Sequence, residues 1–217
     1  MPPILRCLLL PLLCLAFAQA QADTLITNAS ELRDALRGSA QAAELEELTA
    51  DRGCGPAGCV IDLAELRIQR EQGLLQRIDG QPLRWQQAGD ALPELDWSPL
   101  AAYRVSTAGK PWGLCLEFSH SGIGKSGLNQ RWTSLVLVPY NGNQPGPAAY
   151  RIVGYWTGCD SLQVGEQPGQ LVLPVISQNT DQPLQLRRYH CSVNACDSQP
   201  ASQQVQLQDS TLRLLAP

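Results

Sequence analysis

Along the second half of the chain, apolar residues recur in short runs separated by turn-rich links. The runs are "GLCLEF", "RWTSLVLVPY", "AAYRIVGYW", "LVLPVI", "LQLRRYH", "QQVQLQ" and "TLRLL"; the links include "NGNQPGPA", "GEQPGQ" and "SQNTDQP". Short strands at this spacing predict an antiparallel β-meander over 113–217, closed as a sandwich or barrel. In 150–156, Tyr150, Ile152, Gly154 and Trp156 share one face, and Val153 and Tyr155 share the other. That strand is expected to be covered on both sides.

The first half has a different period. "NASELRDALRGSAQAAELEELTA" (28–50) reads as helix, capped by Asn28 or Ser30, with Leu32, Leu36, Ala43, Leu45 and Leu48 as its apolar stripe. Gly38-Ser39 can split it into two short helices. Residues 60–87 alternate partially and predict short strands with a hairpin turn at Asp79-Gly80, helix being the alternative for 61–71. Residues 88–112 contain three prolines and no sustained period, which predicts a long loop or connection. The fold class expected is therefore α+β and mostly β, stabilised by disulfides. An N-terminal helical and short-strand region (23–87), the connection (88–112) and the β domain (113–217) can form one compact unit.

The first residues stand apart from this pattern. Arg6 precedes an apolar run from Cys7 to Ala18, and Ala20-Gln21-Ala22 forms an A-x-A site, with Ala18-Gln19-Ala20 competing. These features predict a secretory signal peptide over 1–22, cleaved near Ala22. The run is too short to span a bilayer as a helix, and no transmembrane segment is expected elsewhere. Leu13 before Cys14 does not fit a lipoprotein box. With fourteen arginines against two lysines, the composition suits a bacterial protein that is periplasmic or secreted.

Charge and cysteines narrow the picture. Cleavage takes one positive charge, Arg6, from a formal −4, leaving −5. A mildly acidic chain without a basic cluster lacks the electrostatic footprint of a nucleic-acid binder. Six cysteines remain, an even number that predicts three disulfides in an oxidising compartment. "CGPAGC" and "CSVNAC" can each close locally as Cys54–Cys59 and Cys191–Cys196, which leaves Cys115–Cys159 by elimination.

Few residues carry candidate chemistry. "SHSGIGKSG" (119–127) ends like a phosphate-binding loop, but Ser119 stands where its first glycine belongs and a β-branched run follows too soon for the required helix. No nucleotide and no other cofactor are expected. A long polar loop between two strands remains, in which His120, Lys125 and Ser126 can contact an anion such as a carboxylate, phosphate or sulfate. The two histidines, His120 and His190, lie outside any nucleophile elbow or zinc-protease motif. His190, Cys191 and Cys196 offer a partial zinc set, but disulfide formation is favoured over it. The five tryptophans can stack on sugar rings, with core packing as the ordinary use. "YHCSVNACDSQ" resembles, over about ten residues, the exposed C-x4-C loop of one family of exported lysozyme inhibitors. That family's loop holds a histidine where this one has Ser192 to Ala195. The resemblance implies only that such a tip can act as a protein-binding wedge.

These features fit an exported, non-catalytic binding or interaction protein with an envelope protein or glycan as partner. The alternatives are a small envelope-acting hydrolase using His120 and a structural part of an envelope assembly.

Overall fold

The computed structural model describes residues 24–48, 50–55, 58–63, 66–71, 74–87, 100–123, 129–155, 157–177, 184–200, 203–208 and 211–215. The expected signal peptide, Lys125, Ser126 and the link 88–99 lie outside them.

Strand β1 (Thr24–Ile26) leads into helix α1 (Ala29–Arg37). Asn28 caps α1 by accepting the Glu31 N–H at 2.9 Å, and the Glu31 carboxylate reaches back to the Thr27 N–H at 2.7 Å. The Asn28 side chain thereby satisfies one of the first turn's unpaired donors, and Glu31 ties the turn back to the residue before the cap. Leu32 and Leu36, one turn apart, form the buried stripe. Helix ends there. Residues Glu44–Glu47, expected as helix, form β2 instead, so among the described residues the single helix α1 is all that stands of the helical segment expected over 28–50. The cause is tertiary. Leu45 packs into one hydrophobic cluster and Leu48 into another, on opposite sides of a sheet. A strand separates positions of opposite parity, whereas a helix would put this pair on one face. Glu46 also stands opposite Arg104 in the ladder and forms an ion pair with it.

Next come β3 (Ala50–Gly55), β4 (Gly58–Leu63), β5 (Leu66–Glu71), β6 (Leu74–Ile78) and β7 (Gln81–Pro82), a consecutive antiparallel sheet. The choice left open for 61–71 thus falls to strand over Ile61 to Leu63 and Leu66 to Glu71. Asp79 and Gly80, both at positive φ, make the expected turn between β6 and β7. Strand β8 (Arg84–Gln87) then joins the main sheet.

That sheet is built from β9 (Leu100–Thr107), β10 (Lys110–Ile123), β11 (Asn129–Asn141), β12 (Gln144–Pro145) and β13 (Ala148–Tyr155). After a short 3₁₀ turn it continues as β14 (Gln163–Val164), β15 (Leu171–Ser177), β16 (Leu184–Cys191), β17 (Cys196–Ser198), β18 (Gln203–Gln208) and β19 (Thr211–Leu214). Two expectations change here. Residues 100–107 and 110–112 are strand, not part of a long connection. Residues 119–123, expected as loop, belong to β10 and pair with β11 as far as Ile123↔Asn129.

The long strands are antiparallel neighbours, with β8 beside β13 as a parallel exception. The pairing path closes on itself. Ala42 bridges Gln163, the Val164 N–H donates to Gln41 O at 2.8 Å, and the Ala43 N–H donates to Leu162 O at 3.0 Å. From β2 the path runs through β9, β10, β11, β13, β15 and β14 back to residues 41–43. Closure pairs the free edges of β2 and β14, which would otherwise invite pairing with other chains.

Inside the ring, Leu135, Leu137, Tyr150, Ile152, Leu173 and Val175 pack around the Cys115–Cys159 disulfide. Outside, two stretches are covered. Ile78, Leu83 and Trp85 lie over Leu114, Leu116 and Val136, and α1 lies over Ile176, Leu186 and Val205. Strands buried on both faces read as continuous apolar runs, which is why "SLVLV" lacks alternation.

Candidate functional site

A packed interior sends the search for a site to the outer face. A third stretch of that face, formed by β14 to β17, presents polar residues in a cleft of about 630 Å³. Register places Gln163, Val172, His190 and Asp197 in one row across these four strands. Arg188, two residues before His190, shares its face of β16. Ser198 and Gln199 follow Asp197 at the rim.

Each wall is fixed by a specific contact. Gln163 is 5 % exposed and its carboxamide donates to Leu36 O at 3.2 Å, tying the cleft to the end of α1. Arg33 of α1 pairs with Asp160 at 3.1 Å, just ahead of β14. The turn from β14 to β15 is held by Gly165 N–H to Gln170 O at 2.8 Å and Gln170 N–H to Gln167 O at 3.0 Å. A Cβ on Gly165 would stand 2.5 Å from the Gln170 Oε1 and 2.9 Å from its Cβ, so only glycine lets Gln170 lie over this turn. A ladder irregularity between Pro111 and Gly113 accompanies Trp112, whose indole N–H donates to Gly169 O at 2.9 Å. A bulge re-aims a side chain in this way, and here it pins the turn from inside.

On the far wall, Cys191–Cys196 closes the β16–β17 hairpin. Ser192 Oγ accepts the N–H groups of Asn194 and Ala195 at 3.2 and 3.1 Å, and Val193 stays exposed at the tip. His190 Nε2 is buried with no hydrogen-bond partner among the described residues. Asp197 acts on the core as well. Burial, and secondarily the Asp197 charge, push the Tyr150 phenol above its ordinary pKa. Burial likewise lowers the Arg151 guanidinium.

The structure places the sequence-derived candidates as follows. His120 stands in β10 opposite Trp132, its side chain outside the described residues, as are Lys125 and Ser126. Cys115–Cys159 and Cys191–Cys196 are formed. Cys54 and Cys59 stand directly opposite in the β3–β4 ladder. With Cys191 and Cys196 bonded to each other, neither sulfur is a thiolate that could complete a zinc set with His190. Among the described residues no group of three or more His, Cys, Asp or Glu side chains could hold a metal ion. Trp112 is a core residue, 2 % exposed.

Arg188, Asp197, Gln163 and Gln170 escaped the sequence reading as site residues, although part of the signal was present. A local Cys191–Cys196 bridge fixes the hairpin register and so sets His190 opposite Asp197. Comparison of the chain with known protein families, with curated proteins and with solved structures found no match.

Proposed function

We propose that this chain is an exported, non-catalytic binding protein of the bacterial periplasm or envelope, and that its ligand site is the cleft beside His190. The observation that carries the reading is a braced cleft with several polar side chains on a stretch of outer sheet not covered by α1 or by the β6–β8 region. Export accords with the disulfides Cys115–Cys159 and Cys191–Cys196. The closed pairing path gives the site a stiff, barrel-like frame, so binding costs little ordering entropy.

Hydrogen exchange in the presence of an envelope extract tests this. Slowed exchange is expected in 163–172 and 188–199, and Val172→Trp, which fills the cleft, should abolish it. Protection that survives Val172→Trp, or falls elsewhere, removes the cleft as the site. His120, Lys125 and Ser126 are a separate proposal for an anion contact. In sequence, Lys125 and Ser126 fall between the ends of β10 and β11. Anion titrations that leave the amide signals of 121–127 unmoved would sink it.

A further inference from the structure

We infer that the cleft takes a neutral, polyhydroxylated ligand, a saccharide unit rather than an ion; this rests on the cleft being the ligand site. The lining decides the class. Sites for apolar small molecules are mostly hydrophobic and aromatic with a few placed polar groups. Counted by side chain, this cleft is mostly polar, with Ala40, Val164 and Val172 as its apolar members, although carbon still makes up the larger part of its surface. Carboxamides of Gln167, Gln170 and Gln199 lead the rest, with Gln163 nearly buried behind them and already donating to Leu36 O. Each carboxamide carries a donor and an acceptor side by side in one plane. That arrangement matches a hydroxyl group, which also donates and accepts, and best a pair of adjacent hydroxyls.

Charge argues against an ion. Arg188 supplies one fixed positive charge, while Glu166 and Asp197 supply two negative ones. An anion would meet the carboxylates and a cation would meet Arg188, so neither sign gains a strong field. A neutral ligand can use all of them, because carboxylates accept from hydroxyls and a guanidinium donates to them. His190 sits within this set with Nε2 buried and unsatisfied, a polar atom that a bound hydroxyl would serve. Val172, in line with His190, offers a small apolar floor for the C–H face of a ring. A peptide is the less suitable occupant on the β14 wall, because β14 is paired on one side to β15 and on the other to the 41–43 segment. No free strand edge is presented there for β-addition.

The test uses isotope-labelled, oxidised protein, following the side-chain amide signals of Gln163, Gln170 and Gln199 by NMR. The probes are maltotetraose and the N-acetylglucosamine tetramer, against inorganic phosphate, glutamate and trialanine. At least one neutral sugar should shift these signals, with an affinity that changes less than about twofold as salt is raised tenfold. Combined Gln170→Ala and Gln199→Ala should weaken it about tenfold, as expected for two lost hydrogen bonds. Near-UV circular dichroism of that variant checks that the fold is kept. Shifts produced by phosphate or glutamate and erased by salt overturn the saccharide class while leaving the cleft as the site. Shifts from trialanine alone do the same in favour of a peptide. If extract-induced protection of the cleft is seen but neither sugar binds, the class falls and the site stands; if neither is seen, both fall.

Discussion

Gly113 shows how closely the sheet is packed at the level of single residues. A Cβ there would lie 2.2 Å from the Val138 carbonyl oxygen and 2.8 Å from the Pro139 Cα, both backbone atoms that cannot swing aside. Gly113→Ala is expected to cost about 1–3 kcal/mol, the range for overpacking a tight core, measured as a lower urea midpoint. Arg151 is the opposite case. It is 3 % exposed, donates to Ser134 Oγ at 3.3 Å, and has Nε and Nη1 without partners among the described residues. Replacing a poorly paired buried charge by an apolar side chain of similar length is often neutral or stabilising. Arg151→Met should therefore leave the urea midpoint unchanged or raise it. A fall of more than about 1 kcal/mol would mean that the guanidinium has a strong partner in the protein.

Helix α1 was legible only in part: the helical pattern at 28–37 was plain, but Asn28 and Ser30 competed as its cap, and the expected helix ran on to 50 instead of ending at Arg37. Asn28→Ala should cost about 1 kcal/mol of stability by thermal melting, the usual loss on deleting an N-cap side chain. The bond from the Thr27 N–H, followed by that from the Thr27 hydroxyl, holds the Glu31 carboxyl below its ordinary pKa. A depressed acid contributes stability that is present above its unfolded pKa and lost as pH falls through the folded one. Thermal stability should thus decline as pH is lowered through the range below about 4.3, and Glu31→Gln should flatten that decline. Strand β2 was not legible. Its run "ELEEL" has helix formers throughout, and it becomes strand only because β9 offers a ladder and Arg104 a partner for Glu46. The β10–β11 hairpin was half legible. Its apolar core was plain, but Ser119 to Gly122 are polar or small and, with Ile123, enter the strand by register with β11.

For the molecule as a whole, the ring and its disulfide act together. Cys115–Cys159 spans 44 residues and ties β10 to the 3₁₀ turn ahead of β14. Replacing both cysteines by alanine should cost roughly 2–5 kcal/mol, and exchange should speed first at residues 159–164, where the ring is closed. The tyrosines supply a second global test. Tyr103, Tyr150 and Tyr155 are each raised chiefly by burial. A raised group stabilises the fold fully below its unfolded pKa of about 10 and loses that contribution as pH rises through the folded value. Phenolate absorbance should therefore develop late and together with loss of near-UV ellipticity; early, fully reversible ionisation of every tyrosine would contradict their burial.

What the sequence determined by itself is whatever neighbouring residues enforce on one another. The mostly β character, the turn at Asp79-Gly80 and the pairing of Cys191 with Cys196 depend on groups a few positions apart. Tertiary structure decided the rest. That residues 41–43 meet β14, that β2 is a strand, and that Gln163, His190 and Asp197 line one cleft all follow from contacts distant in sequence. Such contacts form only when several strands have already paired. Their register, and not any local motif, selects which polar side chains share a surface.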